Sequence, residues 1–243
     1  MEFFLISVVI LVGAFTQSLT GFGLALISVP FLSLFLDAKM AIPIAGLFGW
    51  LVTFPVVWKM REHVLWKSTL LLVIASIPGT FLGIYLLKKL PSQMILIAMG
   101  IVLIITALHT LFGKKSIKRE LNKGWTFLAG FCSGALGGGV GEPGPPVIAY
   151  TAMQPWSADQ AKATLLSFFM LQMIGAIAGF YSSGLLTGDV LKRFTWGIPA
   201  FIMGIFAGLC AYQYLQRKQI PYHTIVHSLL LVIGCILIFK GFR

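Results

Sequence analysis

The sequence predicts an all-α polytopic membrane protein, built from two inverted repeats of about five helical segments each, 8–10 membrane segments in all. Of the 243 residues, 58% are hydrophobic and only 10% are charged, whereas a soluble domain is nearer one quarter charged. Several uncharged apolar stretches reach the roughly 20 residues that an α-helix needs to cross a bilayer. Two similarly spaced stretches of glycine and proline indicate that the halves of the chain are related.

The first half opens with an apolar stretch over 3–36, which is too long for a single helix. The run Gly21-Phe22-Gly23 interrupts it, and this predicts a helix over about 3–19 and a second helix through Pro30 to Leu36. The remaining apolar segments of this half predict helices over 40–58, 68–87 and 92–113.

A basic hydrophilic linker, residues 114–123, separates the two halves. The second half then repeats the order of the first, with predicted segments over 124–136, 143–155, 158–181, 189–215 and 219–240. We therefore predict a first transmembrane repeat over 1–113 and a second over 124–243.

The evidence for duplication lies in helix-breaking residues, which recur in the same order. In what we call motif 1 (residues 16–30), Gly21, Gly23 and Pro30 match residues 116 positions later in motif 2 (residues 133–146), namely Gly137, Gly139 and Pro146. An odd number of crossings per repeat inverts the second repeat relative to the first, an arrangement common in secondary transporters. If each motif only kinks one span, the repeats are parallel instead; we favour inversion.

The net charge of +11 would suggest nucleic-acid binding in a soluble protein, but here the basic residues lie in the gaps between apolar segments. Such charges orient helices and meet anionic lipid headgroups. We expect membrane lipid and no nucleic acid as partners, and a plasma or inner membrane location. The loop 59–67 and the linker 114–123 should be cytoplasmic, although Lys88-Lys89 opposes this orientation. A homodimer is one candidate assembly.

Both motifs carry residue types that suit an anion site at membrane depth. A helix that starts after a glycine break exposes N–H donors and the positive end of its dipole, so two such ends would bind an anion without buried Lys or Arg. The alternative is that the glycines only permit tight helix crossing. The predicted substrate-binding residues are backbone and side-chain donors of the two motifs: Gln17, Thr20, Gly21, Gly23, Ser133, Gly137, Gly138 and Gly139.

Glu142 is the one carboxylate within a motif. Because burial favours the neutral carboxyl, Glu142 is a candidate proton carrier for coupling. Capping of the following helix is an equally weighted alternative. Thr164, Ser167 and Gln172 are weaker candidates for lining the pathway, since polar residues in membrane helices often bond their own backbone.

The remaining reactive residues predict no enzyme site. Cys132, Cys210 and Cys235 are far apart and lack metal-ligand spacing, so we expect three buried thiols, no metal site and no cofactor. No sequence motif of an ATPase or a recognisable hydrolase is present.

The run Thr20-Gly21-Phe22-Gly23 with Pro30, and the run 134–139 with Pro146 after a basic linker, resemble the sulfite exporter TauE/SafE family. Length and two-half layout resemble it too. The resemblance implies export, or in some members uptake, of sulfite, sulfoacetate and related organosulfonates. The resemblance does not account for the segment 142–145, which we do not place as a general feature of the family.

These observations predict a secondary transporter, an exporter of small sulfur-containing anions coupled to the proton gradient. Three other classes stay open. One is a non-transporting partner subunit of a larger assembly, which activity of the purified protein alone would exclude. A passive anion channel would show flux without proton dependence, and a membrane carrier or enzyme that uses a thiol would depend on Cys132.

Overall fold

The computed structural model describes residues 1–20, 23–112, 118–218 and 222–242, and the regular structure in these ranges is helical. A 3₁₀ helix, Arg61–His63, follows α3. The α-helices are α1 (Glu2–Thr20), α2 (Leu24–Leu32), α3 (Ala38–Met60), α4 (Trp66–Lys89), α5 (Ser92–Phe112), α6 (Lys123–Val140), α7 (Gly144–Met153), α8 (Ala158–Ser182), α9 (Gly188–Lys218) and α10 (Tyr222–Gly241). The predicted all-α class is confirmed.

Four segments of the described chain are long and apolar enough to cross a membrane, judged by length and composition: Ala38–His63, Trp66–Lys89, Ala158–Ser182 and Gly188–Ala211. In contrast, α2 has 9 residues and α7 has 10. At a rise of about 1.5 Å per residue, these two helices are only roughly half as long as the hydrocarbon core is thick. Each motif therefore contributes one helix that is too short to cross by itself.

The observed helices follow the predicted segments closely, with one early end. The second helix was expected to reach Leu36, but α2 stops at Leu32 and a turn follows. The Lys240 amino group donates to the carbonyl oxygens of Ser33 (2.9 Å) and Leu34 (2.7 Å). A cation at this end stabilises the free carbonyls and the negative pole of the helix dipole, so it favours termination here.

The helices form two compact units, and neither unit coincides with one half of the chain. Unit 1 comprises Met1–Phe48, Leu90–Gly113 and Leu186–Arg243, and unit 2 comprises Gly49–Lys89 and Lys114–Leu185. Each unit thus combines helices from both halves. The division into repeats over 1–113 and 124–243 concerns sequence duplication and stays a prediction.

In unit 1, α1 packs against α9, α5 packs against α10, and α2 contacts α1 and α10. The ring of Phe48 is fully buried and contacts Phe194 and Phe201, at centroid distances of 4.5 and 5.2 Å. Gly204 lies against α1, where a Cβ would come within 2.5 Å of the Leu11 carbonyl oxygen. Close helix approach through glycine is typical of membrane helix packing.

In unit 2, α4 packs against α6 and α8, and α7 contacts α6 and α8. Glycines from both α4 and α6 line their contact, where an added Cβ would overlap the backbone of the other helix: Gly79, Gly83, Gly130, Gly134 and Gly138. An apolar cluster including Leu72, Val147 and Phe168 fills the space among α4, α7 and α8. These contacts hold motif 2 against two long helices.

Candidate functional site

Motif 1 lies in unit 1 and joins α1 to α2. Gly23 precedes α2 with φ 125° and ψ −3°, a conformation that side chains with a Cβ rarely adopt. The Gln17 side chain reaches across the break, and its amide oxygen accepts a hydrogen bond from the Leu24 N–H (2.9 Å). Gln17 therefore fixes the start of α2. The side chain of Thr20 and the whole of Gly21 lie outside the described residues.

The start of α2 has the polarity that an anion site needs. The first-turn N–H groups of a helix lack partners in the preceding turn and lie at its positive pole. Here Gln17 accepts from the Leu24 N–H and the Gly23 carbonyl accepts from the Ile27 N–H (3.1 Å). The other donors of this turn belong to Ala25 and Leu26.

Motif 2 lies in unit 2, and its break falls later than the sequence pattern indicated. The expected turn was at Gly137–Gly139, but α6 continues to Val140 and the chain turns at Gly141, whose φ is 77°. The N–H groups of Gly141 and Glu142 both donate to the Leu136 carbonyl. A left-handed glycine with such bonds is a common helix C-terminus, which explains why the break moves to Gly141.

Gly137, Gly138 and Gly139 consequently lie in the last turn of α6. A Cβ at Gly138 would overlap the Thr80 carbonyl oxygen of α4, and one at Gly139 would lie 3.4 Å from Gly83. Gly138 and Gly139 thus lie in a close helix–helix contact, as the alternative interpretation of these glycines expects. Gly137 faces elsewhere: its Cβ position is 2.9 Å from the Pro143 Cβ and 3.1 Å from the Gln172 Nε2.

Ser133 and Glu142 are both buried beside this break. Ser133 has no exposed surface, and its hydroxyl donates to the Pro143 carbonyl oxygen. Glu142 is 3% exposed, and among the described residues no group donates to its Oε1. An ionised carboxylate buried without a partner costs on the order of several kcal/mol, so this oxygen is a candidate for accepting a proton or for binding a ligand.

The three candidates on α8 have different surroundings. The Thr164 hydroxyl accepts from the Leu65 N–H (3.1 Å) and so caps the start of α4. Ser167 is fully buried, and its hydroxyl has no partner among the residues described. The Gln172 amide nitrogen donates to the Thr80 hydroxyl (3.1 Å), while its Oε1 accepts no hydrogen bond within the described chain.

The structure thus places Ser133, Gly137, Glu142 and Gln172 around one end of α6. Thr164 has a capping role at the start of α4 instead. Sequence reasoning missed Thr80, which holds the Gln172 amide. The only signal for it was its position just after the Pro78-Gly79 pair of α4.

The expectation of three buried thiols is wrong. Cys132 is half-buried, whereas Cys210 and Cys235 are exposed on the surface of their helices. A segment that is apolar on every face does not reveal from its sequence which face of the helix is exposed. Within the described part of the chain, no group of three or more His, Cys, Asp or Glu residues has the arrangement of a metal site.

Membrane-length apolar helices, together with two half-length helices that begin after glycine breaks, define a polytopic α-helical membrane protein. The chain belongs to the sulfite exporter TauE/SafE family, whose family model matches residues 5–237. This is a family of membrane transporters and not of enzymes, and its activity is export of sulfite and related sulfur anions. No curated protein and no solved structure matches the chain.

Proposed function

We propose that the protein is a secondary transporter that exports sulfite or a related organosulfonate across the cell inner membrane, coupled to the proton gradient through Glu142. The family match over residues 5–237 carries the substrate class. The buried carboxyl of Glu142, with an oxygen that no described group contacts, supports the coupling.

Motif 1 is the proposed anion site. The first turn of α2 offers backbone N–H donors at a positive helix pole, and Gly23 permits the turn that exposes them. Gln17 positions this turn through Leu24. Thr20 and Gly21 precede it in the chain and complete the proposed donor set.

In motif 2 we propose fewer residues for the transport site than the sequence pattern suggested. Ser133 and Gly137 form part of the wall around the break, where both contact Pro143, the residue after Glu142. Gly138 and Gly139 take part in the close contact of α6 with α4. We assign pathway lining to Ser167 and Gln172, whose buried oxygens have no described partner, rather than to Thr164.

Inverted repeats are part of the proposal. In unit 2, α4 packs against α6, and in unit 1 their counterparts α9 and α1 pack against each other. The counterparts α5 and α10 are partners in unit 1. This reciprocal pairing supports the duplication that motifs 1 and 2 indicate. A homodimer stays a prediction.

The deciding experiment is sulfite flux through the purified protein in liposomes, with and without an imposed pH gradient. We expect saturable sulfite flux that the pH gradient drives. In Glu142→Gln the flux should no longer depend on the gradient, because the amide carries no exchangeable proton for coupling. Glu120→Gln is the matched control, since Glu120 is an exposed carboxylate of the linker. Sulfoacetate, thiosulfate and sulfate in parallel assays define the substrate range.

The other outcomes identify the other classes. Sulfite flux that ignores both the gradient and Glu142→Gln would indicate a passive channel. Loss of flux in Cys132→Ser would indicate thiol chemistry. If none of the four anions is transported, the proposed function is wrong.

A further inference from the structure

The end of α6 in unit 2 presents oxygen atoms, not N–H donors. The last four carbonyls of a helix lack partners in the following turn, and in α6 they belong to residues 137–140. The Leu136 carbonyl, one residue earlier, already accepts from Gly141 and Glu142. The negative pole of the α6 dipole also lies here. This end of motif 2 therefore favours a cation.

The start of α7 offers few donors to offset those oxygens. Its first residues are Gly144, Pro145 and Pro146, and the two prolines have no N–H group. Motif 2 thus differs from motif 1, where the residues that open α2 after Gly23 are Leu24, Ala25 and Leu26, each with an N–H.

Two buried side chains add further acceptors beside this end of α6. Glu142 and Gln172 are each 3% exposed, and the Oε1 of each has no hydrogen-bond partner among the described residues. Pro143, which follows Glu142, and the Gln172 amide nitrogen both lie within 3.1 Å of the Cβ position of Gly137, so the absence of a side chain at Gly137 lets α8 approach the break beside Glu142. Thr80 anchors the amide nitrogen of Gln172 and so leaves its oxygen as the free atom.

Buried acceptor oxygens can be satisfied by ordered water, by a proton or by a metal cation. A proton on Glu142 gives that carboxyl one donor, which can serve one acceptor only. A cation with oxygen ligands serves several at once, and carboxylate, amide and carbonyl oxygens suit hard cations. One carboxylate balances one positive charge. Helix C-terminal ends within transporters provide such coordination for Na⁺.

We propose that motif 2 is a Na⁺ site, with Glu142 and Gln172 as side-chain ligands and the carbonyl oxygens at the end of α6 as further ligands. The site deepens the proposed function, because Na⁺ and the proton then compete for the same carboxylate. Coupling through Glu142 accordingly uses either ion, and the concentration of each ion relative to its dissociation constant decides which one occupies the site.

Other charged groups do not supply the missing charge by direct pairing. Within the described chain, no ion pair joins Glu142 to any titratable group on the helices of this unit. Those groups are Lys59 on α3, Arg61, Glu62 and His63 on the 3₁₀ helix, Lys67, Tyr85, Lys88 and Lys89 on α4, Lys123 and Cys132 on α6, Tyr150 on α7, and Asp159, Lys162 and Tyr181 on α8.

The test is equilibrium binding of ²²Na⁺ to the purified full-length protein in choline buffer at fixed pH. We expect one saturable site in the wild type, displaced by unlabelled Na⁺ and weakened as the pH falls. Glu142→Gln should abolish binding, and Gln172→Leu should weaken it by about tenfold or more. Gln154→Leu is the matched control, a buried glutamine of the same unit at the end of α7.

Absence of saturable Na⁺ binding to the wild type overturns the proposal, and this result needs no variant. Equal Na⁺ binding by the wild type and Glu142→Gln also overturns it, because a variant that binds Na⁺ is folded. Na⁺ binding without flux of any of the four anions would overturn the proposed function and leave this site in place. Sulfite flux driven by a pH gradient, with no Na⁺ binding, would support the proposed function and overturn the Na⁺ site.

Discussion

At the scale of single residues, two glycines determine where the motifs turn. Gly23 and Gly141 have positive φ values of 125° and 77°, and each lies next to a short helix. Residues with a Cβ pay about 1–2 kcal/mol for the left-handed conformation. The positions of these turns decide which backbone groups each motif leaves free.

We predict that Gly141→Ala lowers the thermal stability of the purified protein, because the left-handed backbone costs about 1–2 kcal/mol with a Cβ present. Gly49→Ala is the control: Gly49 is helical, and nothing lies within 4 Å of its Cβ position. The control should be neutral or stabilising by about 0.5–1 kcal/mol. Melting temperatures in detergent compare the two, and an equal effect of both changes would contradict the left-handed turn.

At the scale of helices, glycine contacts bring α6 against α4 and α9 against α1. A Cβ at Gly134 would overlap the Ser76 carbonyl oxygen, and one at Gly204 would lie 2.5 Å from the Leu11 carbonyl oxygen. Both contacts involve backbone atoms, which cannot move aside as a flexible side chain can. The two helix pairs therefore tolerate no added volume at these points.

Gly134→Ala should accordingly destabilise the protein by about 1–3 kcal/mol, because α4 and α6 must separate to admit the methyl group. Gly175→Ala, in the middle of α8 with open space at its Cβ position, is the matched control. The yield of monodisperse protein and its melting temperature are the readouts. A fully stable Gly134→Ala variant would show that this helix contact is looser than described.

At the scale of the whole molecule, aromatic and basic residues mark one membrane boundary. Trp58 and Trp66 flank the 3₁₀ helix and are 74% and 46% exposed. The Arg61 guanidinium lies 5.0 Å from the Trp58 ring centroid. Tryptophan and arginine together are typical of the membrane–water interface, which supports placing this loop at the cytoplasmic boundary.

The expected topology can be checked by labelling single cysteines in a variant without Cys132, Cys210 and Cys235. If α4 and α5 each cross the membrane once, as the sequence predicts, Glu62→Cys and Glu120→Cys should both react from the cytoplasmic side. Gln93→Cys, after one crossing, should react from the opposite side. An impermeant maleimide applied to intact cells and to inverted vesicles distinguishes the sides. Opposite labelling of Glu62→Cys and Glu120→Cys would refute the crossing count.

The sequence alone predicted the membrane class, the bounds of most helices and the existence of two breaks. Length, apolar content and the intervals between glycines and prolines are local properties of the chain, so they can be read without the fold. The burial of Glu142 also follows from its place between Gly141 and Pro143 inside an apolar region.

Only the tertiary structure decided which backbone and side-chain groups each motif leaves free. The pattern of motif 2 suggested N–H donors at Gly137–Gly139, but α6 continues through these residues to Val140, and the left-handed turn falls at Gly141. Their free backbone groups are therefore carbonyls, so the polarity of the site is reversed. Gln172 is 30 residues from Glu142 in the chain, and only the packing of α8 beside Gly137 brings its amide there. Contacts between distant segments depend on how helices pack, which no local pattern specifies.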